Sequence, residues 1–230
     1  MLVYKGLNIG TAKPSIQELS AVPHHLIDEV YPWQEFNARE YLNRTDRVCH
    51  QLKGRCLGVG GSPFYIKVLR DGLSHTEDIP DLEKILQRYS EIDLRTALKR
   101  LDPEREQAIN SGDRFRLVRA LTLIYSSGKK ASLFKPQQPR PGVKVEIVAL
   151  RADRKRMHEK QKARIDNMFA QGLLDEAKAL FDGPKLSKSA AAAVGYKELF
   201  AHFRGEMDLE TAKEKILIGT RRLYKHQMTW

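Results

Sequence analysis

The stretch that most constrains this chain is its opening one, Val3 to Pro14, reading VYKGLNIGTAKP. It sets two glycine turns, at Gly6 and Gly10, within a few residues of the first methionine. Glycine permits positive φ and a close backbone approach to a ligand, and Pro14 pushes Lys13 out of helical geometry. A turn holding Thr11 between Lys5 and Lys13 has the chemistry for a phosphate-bearing substrate. The same residues taken singly describe an ordinary surface loop equally well.

Composition narrows the partners. The chain has 230 residues, enough for one substantial core or a core with an inserted module. Apolar residues make up 41% and charged residues 30%, a globular rather than a disordered balance. Forty Lys and Arg against 29 acidic residues leave a formal net charge of +11, which favours a polyanionic partner. A ribosome-associated or merely soluble basic protein shares that charge. Cys49 and Cys56 have neither a metal-type spacing nor a paired framework, so a reducing cytosol is expected. No apolar run approaches a membrane span and no signal h-region is present, so a soluble cytoplasmic protein is expected.

Along the chain, Ser15 to Leu19 reads as a short helix, Pro23 to Asp28 (PHHLID) as an extended segment, and Phe36 to Leu52 as an amphipathic helix. His24 and His25 are adjacent, cannot chelate a metal together, and are assigned no ion. Arg55 to Gly61 (RCLGVGG) reads as a buried strand entering a glycine turn, after which Ser62 and Pro63 suit a helix start. Such a helix N-terminus presents N–H groups to an anion. From Leu73 to Tyr125 the pattern is helical, broken at Asp102-Pro103 and at Asn110 to Asp113. Arg116 and Arg119 share a helix face suited to spanning phosphates, and a solvated basic face looks the same. Lys135 to Gly142 is a proline-rich connector, and Val143 to Leu150 reads as a second strand. Arg154 to Leu180 reads as one long helix with Met157, Ile165, Met168, Phe169 and Leu173 inward. A last helix is capped by Asp208, with Leu209, Ala212, Ile216 and Leu223 inward and Arg221 and Lys225 on a basic ridge.

Taken whole, VYKGLNIGTAKP followed by PHHLID closely resembles the tRNA dimethylallyltransferases, the isopentenyltransferases that act next to the anticodon. SGDRFRLVRAL (Ser111 to Leu121) is similar to the family's NDPQRLxRALE segment, and ARIDNM to its helix carrying R[IV]xxM. VGYKELF resembles the GYKE segment, and TRRLYKHQMTW, ending at Trp230, resembles TRxxAKRQxTW. Three departures stand out: Ser62 replaces the Thr of the family's GGT turn, Phe115 replaces a Gln, and His226 stands where Arg is usual.

The resemblance implies an α/β fold, a P-loop NTPase-like parallel-sheet core formed by residues 1–72 and 140–230. A helical insertion, residues 73–139, would grip the anticodon stem-loop. It implies transfer of a dimethylallyl group from dimethylallyl diphosphate to N6 of the adenosine 3′-adjacent to the anticodon, with Mg²⁺, by a monomer. Arg164 would meet the diphosphate. Lys5, Thr11, Lys13, Ser62, Lys84, Arg116, Arg119, Arg221 and Lys225 would meet tRNA. No G-x-x-x-x-G-K-[ST] occurs in the sequence. In the family the phosphate loop and an Asp base lie ahead of the residue aligned with Met1. The chain is therefore expected to be a member that starts late, by a misplaced start codon, a cloning boundary or natural truncation. It is expected to be catalytically dead alone and marginally folded, with no catalytic residue or metal ligand of its own. The alternatives are a basic tRNA-binding remnant without catalysis and, less compatible with the missing loop, a kinase-like nucleotide enzyme.

Overall fold

The computed structural model describes residues 1–53, 55–73, 79–134, 142–150 and 153–229. Residues 135–141 of the expected proline-rich connector, and Trp230, lie outside the described residues. The described chain is helical: α1 (Ile16–Ala21), α2 (Ala38–Gln51), α3 (Pro63–Asp71), α4 (Pro80–Leu86), α5 (Glu91–Leu101), α6 (Pro103–Gln107), α7 (Arg114–Ser127), α8 (Arg154–Ala170), α9 (Leu173–Asp182), α10 (Lys188–Ala191), α11 (Tyr196–Phe203) and α12 (Leu209–Met228), with a 3-10 turn at Ala131–Leu133. Two compact units result, one from Met1–Ile66 with Glu146–Trp230 and one from Lys67–Val145.

Helix starts follow side-chain chemistry that the sequence displays. Ser15 and Glu18 form a reciprocal capping box at α1, and Ser90 with Asp93 form another at α5. Asn37, Asp113 and Asp208 cap α2, α7 and α12 by accepting the backbone N–H three residues on. Each such cap stabilises its helix by about 1 kcal/mol.

In the first unit the opening stretch is a core element rather than a surface loop. Val3, Tyr4 and Leu7 are buried together with Ile165 and Met168 of α8, Leu173 and Ala177 of α9, Tyr196 and Leu199 of α11, and Ala212 and Ile216 of α12. Leu7 alone, removed fully from water, contributes roughly 2 kcal/mol of transfer free energy. The second unit closes on Leu94 and Leu98 of α5 against Leu117, Leu121 and Ile124 of α7. Asp102 ties it together from within. Fully buried, its carboxylate accepts the Arg105 N–H at 3.1 Å and the Ser132 N–H at 2.7 Å, joining the start of α6 to the 3-10 turn.

Four expectations are corrected. Neither Arg55 to Gly61 nor Val143 to Leu150 is a strand. Among the described residues the only β pairing is a single parallel bridge, Tyr4 with Val30. A strand exists only through its neighbours, and here Leu57 and Val59 are each 89% exposed, Val148 86% and Leu150 92%, with no ladder beside them. The expected long helix from Arg154 is two helices, broken where Gly172 takes φ +99°. PHHLID is bent, not extended, because Leu26 and Asp28 both sit at positive φ. Leu223 faces water instead of the core. The two cysteines, whose spacing suggests no pairing, lie with their Sγ atoms 3.1 Å apart, Cys49 in α2 and Cys56 beyond its end.

Candidate nucleic-acid interface

The loop after Leu7 makes a nest of backbone donors, and a carboxylate of the same chain fills it. Glu176 of α9 accepts from Asn8 N at 2.9 Å, from Ile9 N at 2.9 and 3.1 Å, and from Gly10 N at 3.1 Å. The Tyr196 hydroxyl donates to the same carboxylate at 2.6 Å. Burial first, then the Glu176 carboxylate, push the Tyr196 phenol well above its usual range, so it remains a donor at any physiological pH. A Cβ on Gly10 would lie 2.6 Å from the Tyr196 ring, which is why only glycine fits there.

This geometry decides what Lys13 and Thr11 do. The Lys13 ammonium donates to Tyr4 O at 2.9 Å, Asn8 Oδ1 at 2.8 Å and Asp28 Oδ1 at 2.5 Å, and its side chain is 6% exposed. An ammonium has three donors, so Lys13 is an internal strut without a hydrogen for a phosphate. The Thr11 hydroxyl likewise turns inward, donating to Leu7 O at 2.5 Å. Lys5 differs: its ammonium stands 4.2 Å from the centre of the Tyr31 ring, at the edge of the same unit.

A basic surface of the first unit lies on α12. Arg221 and Lys225, one helical turn apart, are both exposed, and neither side chain makes a hydrogen bond or ion pair among the described residues. Beside them a cleft of about 400 Å³ is lined by Lys197 and Glu198 of α11 and by Lys215, Gly219 and Arg222 of α12. Glu198 is buried and already engaged, taking the Gly195 N–H at 2.8 Å and pairing with Lys197 at 3.4 Å. Lys215 and Arg222 are two turns apart on one face and continue to Lys225. Lys197, Lys215 and Arg222 were not singled out in the sequence. The seven-residue spacing of Lys215 and Arg222 was readable there, but the cleft that gives it meaning arises from α11 packing on α12.

In the second unit the three expected contacts each hold a carboxylate. Lys84 pairs with Asp81 at 3.1 Å, Arg119 with Glu83 at 3.0 Å, and Arg116 with Asp113. Exposed pairs of this kind are each worth about 0–1 kcal/mol, so a phosphate could replace the carboxylates at small cost. Phe115, next to Arg116 in sequence, is 78% exposed.

Arg164 projects from α8 into solvent and makes no hydrogen bond or ion pair among the described residues. Ser62 lies half-buried just ahead of α3, where its carbonyl accepts from Ile66 N. Gly61 approaches α12 closely, since a Cβ there would meet the Gln227 side chain at 2.1 Å. No group of three His, Cys, Asp or Glu side chains among the described residues could hold a metal ion. The described carboxylates therefore do not form a protein cage for Mg²⁺. No described helix is long and apolar enough to cross a membrane.

Comparison with known proteins identifies the family. The family model described as IPP transferase matches residues 2–230. A tRNA dimethylallyltransferase of Desulforamulus reducens is 34% identical over 241 residues, covering all of this chain and 85% of that protein. One from Bacillus subtilis is 33% identical over 240 residues, again covering the whole chain and 76% of the relative. Among solved structures, the tRNA isopentenylpyrophosphate transferase of Bacillus halodurans aligns with a TM-score of 0.68 at 28% identity, over all of this chain and 75% of that one. A eukaryotic dimethylallyltransferase acting on tRNA aligns at 0.82, with 23% identity and 61% of its length covered, a likeness of fold. With its matched residues running from the second to the last, this chain belongs to the IPP transferase family.

Proposed function

We propose that this protein acts in tRNA modification, transferring a dimethylallyl group from its diphosphate to N6 of the adenosine 3′-adjacent to the anticodon. The observation that carries the reading is the end-to-end match to relatives named tRNA dimethylallyltransferase, joined to a basic α12 surface suited to a phosphate backbone. In this reading Arg221 and Lys225, with Lys197, Lys215 and Arg222 in the adjoining cleft, track the RNA backbone by charge. Arg116, Arg119 and Lys84 of the second unit exchange their carboxylate partners for phosphates, and Lys5 contributes beside Tyr31. Lys13 and Thr11 support the loop rather than touching RNA. The target adenine leaves its stack to reach the donor. Departure of diphosphate requires cations and N–H donors, for which Arg164 is the candidate, and N6 benefits from a general base. Mg²⁺ would neutralise diphosphate charge when bound, held chiefly by the phosphates themselves.

A second reading has its own observation. The nest at Asn8 to Gly10 holds Glu176 rather than standing open to a diphosphate, which favours a tRNA-binding protein without transfer. One experiment separates the two: incubate tRNA with the protein, dimethylallyl diphosphate and Mg²⁺, digest it, and weigh the nucleosides. Adenosine carrying one dimethylallyl group supports the first reading. Bound but unmodified tRNA supports the second, and tRNA neither bound nor modified overturns both.

A further inference from the structure

The turn after Val30 holds two aromatic rings out in water. Pro32 is buried, and Tyr31 and Trp33 emerge on either side of it, 44% and 47% exposed. Residues i and i+2 of an extended backbone project to the same side, and here the rings stack with centroids 4.7 Å apart and planes only 12° from parallel. The Lys5 ammonium lies 4.2 Å from the Tyr31 centroid. With Trp33 covering one face of Tyr31, the cation takes the other. The result is a column of cation, phenol and indole whose last face, the outer side of Trp33, carries no ring among the described residues.

The column is held rigid from its base. Lys5 N donates to Val30 O at 2.8 Å, Tyr31 N to the Gln34 side chain at 2.9 Å, Gln34 N back to Tyr31 O at 2.9 Å, and Ser187 N to Pro32 O at 2.8 Å. The acids flanking the turn are occupied: Glu29 pairs with Arg44 at 2.7 Å, Glu35 accepts the Lys188 N–H at 3.2 Å, and Asp28 holds Lys13. They therefore oppose an incoming polyanion less than their number implies. A preorganised aromatic face loses little freedom on binding, and every base offers it a π-face irrespective of sequence.

We infer that Tyr31 and Trp33 form a stacking platform for one unpaired base of an RNA, with the base on the outer face of Trp33 and Lys5 drawing the adjoining phosphate. This rests on the tRNA reading above and adds to it the element that would distinguish an unpaired loop from duplex. Base stacking on an aromatic side chain implies roughly tenfold in affinity.

The chain has two tryptophans, Trp33 and Trp230, so a Trp230→Phe background isolates the emission of Trp33. Titrated with a short single-stranded oligoadenylate, Trp33 emission should be quenched, and titrated with inorganic polyphosphate it should not. Trp33→Ala should weaken oligoadenylate binding roughly tenfold at an unchanged salt slope, and Trp33→Phe should restore most of it. Trp33 is half in water, so these variants are expected to keep the wild-type circular dichroism. Unquenched Trp33, or equal affinity for Trp33→Ala, overturns the platform, and if tRNA still binds under those conditions the tRNA reading survives alone. Failure of the wild type to bind any RNA overturns both, and quenching by polyphosphate would reassign the turn to plain anion binding.

Discussion

Replacing Glu176 with Gln keeps the shape of the side chain and removes its charge, which tests whether the opening loop is held by a filled anion nest. One carboxylate oxygen takes the Asn8 and Ile9 N–H groups, and the other takes Ile9, Gly10 and the Tyr196 hydroxyl. An amide has one acceptor oxygen, so its NH₂ faces two of these donors in one orientation and three in the other. A charge-assisted hydrogen bond contributes about 1.5–3 kcal/mol, and a stranded donor costs about 1–3. Because Asn8 is exposed and can turn to water, the lower part of the range applies, roughly 2–4 kcal/mol in all. For a chain of this size that lowers Tm by roughly 4–16 °C. Thermal unfolding followed by circular dichroism reads it directly. A double-mutant cycle with Tyr196→Phe should add a coupling of about 1–2 kcal/mol, since both groups share one oxygen. A Glu176→Gln protein within about 0.5 kcal/mol of wild type would refute the nest as the loop's anchor.

Three further outcomes follow from the same geometry. Burial alone would raise the Asp102 carboxyl, but hydrogen bonds from Ser132 and Arg105 hold it below the usual range. Its stabilisation is thus present above the unfolded-state value near pH 4 and lost as pH falls through the lower folded value. Asp102→Asn should lower stability at pH 7 by about 1–3 kcal/mol and flatten the acid limb of a Tm-against-pH curve, and an unchanged limb would contradict it. Arg164→Ala should leave Tm within about 1–2 °C yet weaken dimethylallyl diphosphate binding roughly tenfold by calorimetry; equal binding makes Arg164 a plain surface residue. The Arg116→Ala, Arg119→Ala pair should lower the slope of log affinity for tRNA against log salt by about 1.4–1.8, and an unaltered slope removes that face from the interface.

What could be read in advance divides along physical lines. The start of α12 was legible because a cap is local: Asp208 acts on the Thr211 N–H three residues away. The core face of α8 was legible because Ile165 and Met168 recur at helical spacing. Strands were not, because RCLGVGG states that a segment is apolar without stating which neighbour pairs with it. The role of Lys13 was hidden for a similar reason. A lysine beside glycines suits a phosphate equally well, and only the convergence of Tyr4, Asn8 and Asp28 shows that its donors are taken. The break at Gly172 was missed because a glycine inside a helical pattern is often tolerated. Glu176 and the cleft cations depend on helices meeting across long stretches of chain, which spacing alone does not encode.

The central claim is that the α12 surface grips the anticodon arm of tRNA, and salt-dependent binding tests it most directly. Affinity of an anticodon stem-loop should be measured over a series of salt concentrations for the wild type and for the Arg221→Ala, Lys225→Ala pair. Two lost phosphate contacts predict weaker binding and a slope smaller by about 1.4–1.8, with Tm nearly unchanged because both side chains are exposed and unpaired among the described residues. Equal affinity and equal slope in the two proteins would contradict the account.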